Sequence, residues 1–189
     1  MKKVLLILIC FFHINLYAEE NKKVYFAGGC FWCMEPVFDK LEGVNSVISG
    51  FSGGNVPNPT YQQVVAGRTG HIETVKVSYN PEKITYLELL KNFWVNVDPY
   101  DGSGQFCDRG KVYTSVIFYQ NNEEKNFIDQ SIKDMKSLKV NKIKTSFTEF
   151  KNFYPAEDYH QKYYQKNPSD YFAYVIGCRR MERLKEVWK

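Results

Sequence analysis

The order of apolar and polar positions divides the chain into short strands and helices, without an internal repeat or a linker that would split it. Lys23 to Ala27 reads as a short buried strand that stops at Gly28-Gly29. From Cys30 to Leu41 the apolar residues Phe31, Met34, Val37, Phe38 and Leu41 recur at helical spacing. Val44 to Phe51 reads as a second strand, closed by the turn-rich Ser52-Gly53-Gly54-Asn55. Pro57-Asn58-Pro59 predicts an extended loop, because each proline biases its predecessor out of the helical region. Ile72 to Tyr79 alternates as a strand and ends at Asn80-Pro81. Thr85 with Glu88 three residues later is a capping box, which opens a helix through Leu89, Leu90, Phe93 and Trp94. The same reading gives a strand over Val112 to Tyr119 and helices over Asn122 to Leu138, Ala156 to Tyr164 and Met181 to Trp188. Strands interleaved with helices make an α/β or α+β domain, with the strand order left open.

The first eighteen residues stand apart. A basic Met1-Lys2-Lys3, an apolar run from Val4 to Phe12 and a small residue closing Leu16-Tyr17-Ala18 form the layout of a secretory signal peptide. The run is short for a membrane span. The expectation is a signal over residues 1–18, a single domain over 19–189 and export across the inner membrane to a bacterial periplasm. No stable membrane insertion is expected after cleavage. Cys10 lies inside the apolar run, without the small residues expected before a lipidated cysteine, and would leave with the signal. The formal charge of the whole chain is +4. It falls further with Lys2 and Lys3, so the surface is nearly balanced and dedicated nucleic-acid binding is excluded. A monomer is the default for a domain of this size.

Four cysteines then remain: Cys30, Cys33, Cys107 and Cys178. An even count outside the cytosol suggests disulfides, yet a domain this rich in aliphatic and aromatic residues needs no staples, so redox chemistry is as good an account. Cys30 follows two glycines at a helix start, where unpaired backbone N–H groups favour a thiolate. Phe31 and Trp32 beside it suit an apolar, sulfur-friendly pocket, although each alone reads equally as core. Cys30 and Cys33 have the C-x-x-C spacing of redox pairs. A zinc site would want a second pair at similar spacing, and Cys107 and Cys178 each stand alone.

Alternation along the strand puts Glu73 on the same face as Val75, Val77 and Tyr79. A carboxyl on the apolar side of a sheet is driven toward its protonated form, and a neutral acid near pH 7 can serve as a general acid. His71 and His160 are read as hydrogen-bonded structural residues ahead of catalytic bases. Tyr61 and Tyr113 could donate phenolic hydrogen bonds, but among 14 tyrosines neither stands out.

Gly28-Gly29-Cys30-Phe31-Trp32 resembles the signature of the peptide methionine sulfoxide reductase A family. The likeness continues through Pro57-Asn58-Pro59-Thr60-Tyr61, Gly70-His71-Ile72-Glu73, Gln105-Phe106-Cys107-Asp108-Arg109-Gly110 and Phe153 to Gln161, in the family's order. The resemblance implies a two-layer sandwich with a ferredoxin-like core and a mixed sheet flanked by helices. It implies a nucleophilic Cys30 that attacks the sulfoxide sulfur while Glu73 protonates the oxygen. Tyr61 and Tyr113 match tyrosines that bind that oxygen, Asp108 matches a polar residue lining the site, and Phe31 and Trp32 would hold the substrate methyl group. The product on the enzyme would be a sulfenic acid, closed to a disulfide by a second cysteine and reduced by an external thioredoxin-like dithiol. The implied substrates are oxidised proteins and peptides, in their S-sulfoxide epimer, and no metal or organic cofactor is implied.

For the resolving cysteine, Cys178 comes first, beside Gly177 on a segment read as mobile. Cys33 comes second through the C-x-x-C spacing, and Cys107 last. Two other classes compete. A thiol–disulfide oxidoreductase would use Cys30 and Cys33 directly but leaves Glu73 and the tyrosines without a role. A non-catalytic module for methionine peptides requires that Cys30→Ser keep all function.

Overall fold

The computed structural model describes residues 21–135 and 139–189. The expected signal segment lies outside them, as does the end of the helix expected to reach Leu138. In chain order the elements are β1 (Lys22–Gly28), α1 (Phe31–Asp39), β2 (Val44–Ser52), α2 (Tyr61–Val65), β3 (Ile72–Tyr79) and α3 (Tyr86–Trp94). Then come β4 (Gly104–Gln105), β5 (Asp108–Arg109), β6 (Ser115–Tyr119), α4 (Asn122–Asp134), β7 (Ser146–Glu149) and β8 (Phe153–Pro155). Three helices close the chain: α5 (Tyr163–Lys166), α6 (Pro168–Gly177) and α7 (Arg180–Val187).

One six-stranded sheet runs in the order β7-β6-β1-β3-β2-β8. Its inner strands are antiparallel and β6 pairs with β7 in parallel, so the sheet is mixed. The sequence β1-α1-β2-β3-α3-β6, with spatial order β6-β1-β3-β2, is the ferredoxin-like βαββαβ unit expected from the resemblance.

Phe26 shows why the layers close. It points from the middle of β1 into the helical layer and is fully buried. Its ring stacks on Phe38 of α1 at 5.0 Å and on Phe93 of α3 at 5.3 Å. Burial of a side chain of this size contributes about 1.5–3 kcal/mol. Val24, Val75 and Val77 extend the same face, while Tyr25, Ala27, Val116 and Phe118 form a smaller cluster on the other, packed against Phe150 and Phe153.

The Thr85–Glu88 capping box is present and β3 has the expected bounds. Several expectations are corrected. The strand expected from Val112 begins at Ser115, because residues Lys111–Tyr113 form a 3-10 turn after Gly110, which has φ +107°. Ala156 to Tyr164 is not one helix. A 3-10 turn at Asp158–His160 gives way to extended Gln161, whose side-chain amide bonds both Ser49 N–H and Ser49 C=O and so holds the chain against β2. Left-handed Lys162 then restarts a short helix. Asn58 is left-handed, at φ +44°, despite preceding Pro59, so the proline loop is not extended throughout. Cys178 sits at the C-terminal cap of the ten-residue helix α6, which starts at Pro168. The α2 helix, opened by a second capping box at Thr60 and Gln63, went unread because it is only five residues long.

Candidate active site

Strand pairing brings the chemical groups to one end of the sheet. Gly28 at the end of β1 pairs with Ser115 at the start of β6, and Phe51 near the end of β2 pairs with Glu73 near the start of β3. From β1 the chain turns through Gly29, where φ is +87° and a Cβ would lie 2.7 Å from Gln105 Cβ, leaving no room for a side chain. Cys30 then occupies the N-cap of α1, and its carbonyl accepts from Cys33 and Met34 N–H at 3.0 and 3.2 Å.

The next free N–H of the helix, that of Phe31, donates to Glu73 Oε2 at 2.9 Å. Glu73 is 2% exposed, and burial pushes its carboxyl up to about 8 against the pull of that hydrogen bond, with Asp108 and Cys33 adding to the rise. It is therefore mostly a neutral acid at pH 7, as its place in the strand pattern suggested.

The thiols depart from expectation. Burial pushes the Cys30 thiol well up, reinforced by its hydrogen bond to Cys33 and by Glu73 and Asp108. Cys33 is drawn down by the hydrogen bond from Cys30, with help from Arg180. Both thiols are free and buried.

Tyr61 and Tyr113 are hydrogen-bonded to one another, and burial with nearby Glu73 raises both phenols, Tyr61 to about 12. Each remains a proton donor beside Glu73 and Cys30. Phe31 is buried and Trp32 half-buried, with ring centroids 6.4 Å apart. The Trp32 indole stacks on Tyr163 at 3.8 Å.

Asp108 is near both thiols, and burial raises its carboxyl, opposed by a hydrogen bond from the Tyr174 hydroxyl. Cys107, exposed beside it, is disulfide-bonded to Cys178, with Cα atoms 4.9 Å apart. The structure thus brings Cys30, Cys33, Glu73, Tyr61, Tyr113, Phe31, Trp32 and Asp108 together and binds Cys178 to Cys107. His71 is apart from them, bonding Gly54 N–H and Val56 C=O as a loop clamp. Tyr174 and Arg180 were missed, since nothing in their local sequence distinguishes them. Arg180 is 5% exposed, donates to Asn96 C=O at 2.6 Å and lies over the Phe106 ring at 4.5 Å.

A buried thiol pair beside a neutral acid and two phenols is suited to taking oxygen from a polar sulfur group. A family model described as "Peptide methionine sulfoxide reductase" matches residues 22–189. The chain belongs to the peptide methionine sulfoxide reductase family. MsrA of Streptococcus agalactiae (serotype Ia) is 45% identical over 88% of this chain and 99% of its own length. The MsrA/MsrB protein of Vibrio cholerae is 46% identical over 93% of this chain, which spans 47% of that longer protein. Among solved structures, reduced Mxr1 of Saccharomyces cerevisiae has a TM-score of 0.73 at 32% identity, over 79% of this chain and 87% of its own. Mxr1 is also solved in complex with Trx2, where the likeness is 24% identity and a TM-score of 0.54 over 80% and 90% of the two chains. This reductase acts on methionine sulfoxide in peptides, a two-electron reduction that removes one oxygen from sulfur.

Proposed function

We propose that Cys30 is the nucleophile and that Glu73 is the acid. The carrying observation is the Phe31 N–H to Glu73 contact, which holds a mostly protonated carboxyl one residue from the thiol. Cys30, losing its thiol proton to solvent, attacks the sulfoxide sulfur and forms an S–S bond to it while Glu73 protonates the sulfoxide oxygen to a hydroxyl. Tyr61 and Tyr113 donate hydrogen bonds to that oxygen before it leaves. The hydroxyl then passes to the Cys30 sulfur as the S–O bond and the new S–S bond break, so methionine departs with the electron pair on its sulfur and Cys30 holds the oxygen as a sulfenic acid. Phe31 and Trp32 enclose the methyl group, which favours the S epimer over the R.

Cys33 is the resolving residue in this reading, ahead of Cys178. It is hydrogen-bonded to Cys30, whereas Cys178 is already joined to Cys107. Attack by the Cys33 thiolate on the sulfenic sulfur expels the hydroxyl, which takes a proton from solvent and leaves as water, and forms a Cys30–Cys33 disulfide that a thioredoxin-like dithiol reduces by exchange. The yeast relative's complex with Trx2 supports a reductant of that kind. Residues 1–18 read as an export signal, so the same reading places the enzyme outside the cytosol, with a reductant of that compartment.

Turnover of the separated R and S epimers of a methionine sulfoxide peptide, with dithiothreitol, tests the assignment. S-selective turnover that vanishes in Cys30→Ser is expected. Turnover surviving in that variant would remove Cys30 from the mechanism.

A further inference from the structure

We propose that Glu157 and His160 are positioning residues that together hold two walls of the sulfoxide pocket, Trp32 and Tyr61, in register. The inference rests on the assignment of those walls made above. Neither residue touches the reacting atoms in this reading, and His160 is no base.

The 3-10 turn at Asp158–His160 puts the two side chains on one side of the chain, with His160 N–H bonded to Glu157 C=O at 2.9 Å. His160 is 1% exposed. Its imidazole is the shared neighbour of three pocket residues, with ring centroids 4.4 Å from Tyr61, 5.0 Å from Phe31 and 5.6 Å from Trp32. The Trp32 indole N–H donates to His160 Nδ1 at 3.1 Å. An indole N–H is only a donor, so Nδ1 must present its lone pair and the ring proton must sit on Nε2.

That Nε2–H faces Glu157 Oε2 at 4.0 Å. That distance is too long for a hydrogen bond; both atoms are buried and have no hydrogen-bond partner among the described residues. The bond from Trp32 fixes the imidazole tautomer, and the enclosed Glu157 oxygen is the acceptor nearest to the resulting Nε2–H. Burial also disfavours the charged ring, which keeps Nδ1 available as an acceptor. The second oxygen, Glu157 Oε1, accepts from Tyr61 N–H at 2.9 Å. One carboxylate therefore fixes the backbone of Tyr61 directly and stands against the imidazole that orients the indole of Trp32. Tyr163, stacked flat on the indole, limits its tilt, while the hydrogen bond sets its rotation about that stack.

The test compares His160→Phe, which keeps the ring and loses the acceptor, with His160→Asn, whose Oδ1 reaches the position of Nδ1. Each is assayed on methionine sulfoxide and ethionine sulfoxide peptides beside Trp32→Phe. His160→Phe is expected to raise KM for the methyl substrate about tenfold, the value of one buried hydrogen bond. Its kcat should stay within about threefold, and the preference for methyl over ethyl should shrink. His160→Asn should return KM to within about threefold of wild type. Equal behaviour of the Phe and Asn variants, or loss of kcat at unchanged KM, would overturn the proposal. If Trp32→Phe alters the methyl preference and His160→Phe does not, the pocket stands and the positioning role falls. If Trp32→Phe alters nothing, the wall assignment itself fails. Should His160→Phe not fold, nitrogen-15 NMR of the wild-type imidazole decides. A protonated Nε2 with bare Nδ1 is expected, and a protonated Nδ1 would exclude the bond to Trp32.

Discussion

Replacing Glu73 with Gln separates its charge from its shape. The amide keeps an oxygen for the Phe31 N–H, which the carboxylate accepts at 2.9 Å, so geometry is retained. What changes is titration. Burial raises Glu73 from an ordinary 4.5 to about 8 in the folded chain. Between those values the folded protein holds a proton that the unfolded chain releases, so wild-type stability falls as pH rises from 4.5 and levels off above 8. At about 1.4 kcal/mol for each pH unit inside that window, wild type loses roughly 3 kcal/mol between pH 5 and pH 8 from this one group. Glu73→Gln has no such loss. Other titrating groups largely cancel in the comparison, so urea unfolding of both proteins at pH 5, 6.5 and 8 should show the variant gaining on wild type by about that amount. The same variant should lose about 10²–10⁴-fold in kcat as a missing general acid. Wild-type activity should decline above pH 8 as the acid form disappears. Parallel stability curves for the two proteins would mean that Glu73 is ionised in the fold and would remove the acid from the mechanism.

Cys33→Ser, given substrate without reductant, should accumulate a dimedone-reactive sulfenic acid on Cys30, whereas wild type releases methionine and forms a Cys30–Cys33 disulfide. A Cys30–Cys178 disulfide in the peptide map of wild type would restore Cys178 as the resolving residue. Gly29→Ala combines φ +87° with a 2.7 Å contact to Gln105 Cβ and should cost about 1–3 kcal/mol in urea unfolding and shift Cys30 out of line, lowering kcat. Glu35, fully buried on α1, accepts the Lys162 N–H with both oxygens at 3.0 and 2.9 Å. Glu35→Ala leaves that N–H buried and unpaired and should cost about 2–4 kcal/mol, with Glu35→Gln losing less because one acceptor remains.

Where side-chain period and local capping decide structure, the chain was legible. The alternation around Glu73 marked both a strand and a buried acid, and Thr85 with Glu88 marked the start of α3. Several of the misreadings share a cause, which is contact with distant residues. Gln161 is extended because it pairs with Ser49, 112 residues away. The resting Cys30 thiol is raised first by burial in the closed fold and further by carboxyl groups contributed by β3 and β5, which no local reading of a Gly-Gly-Cys helix start contains. Likewise, Tyr174 reaches Asp108 across 66 residues, so its approach to the thiols is a property of the closed fold and not of the helix that carries it.

The antiparallel pairing of β1 with β3 and β6 has one more consequence. Lys22 sits opposite Tyr79, at the end of the sheet remote from Cys30, and β1 then runs seven residues before the reactive turn. At about 3.3 Å per residue, roughly 20 Å separates the entry of the domain from its thiols. Any segment spliced ahead of Lys22 meets the domain at its back. A tether, tag or fused neighbour attached there would leave the thiol end facing outward, so this face of the fold is the natural seam for joining the unit to longer proteins.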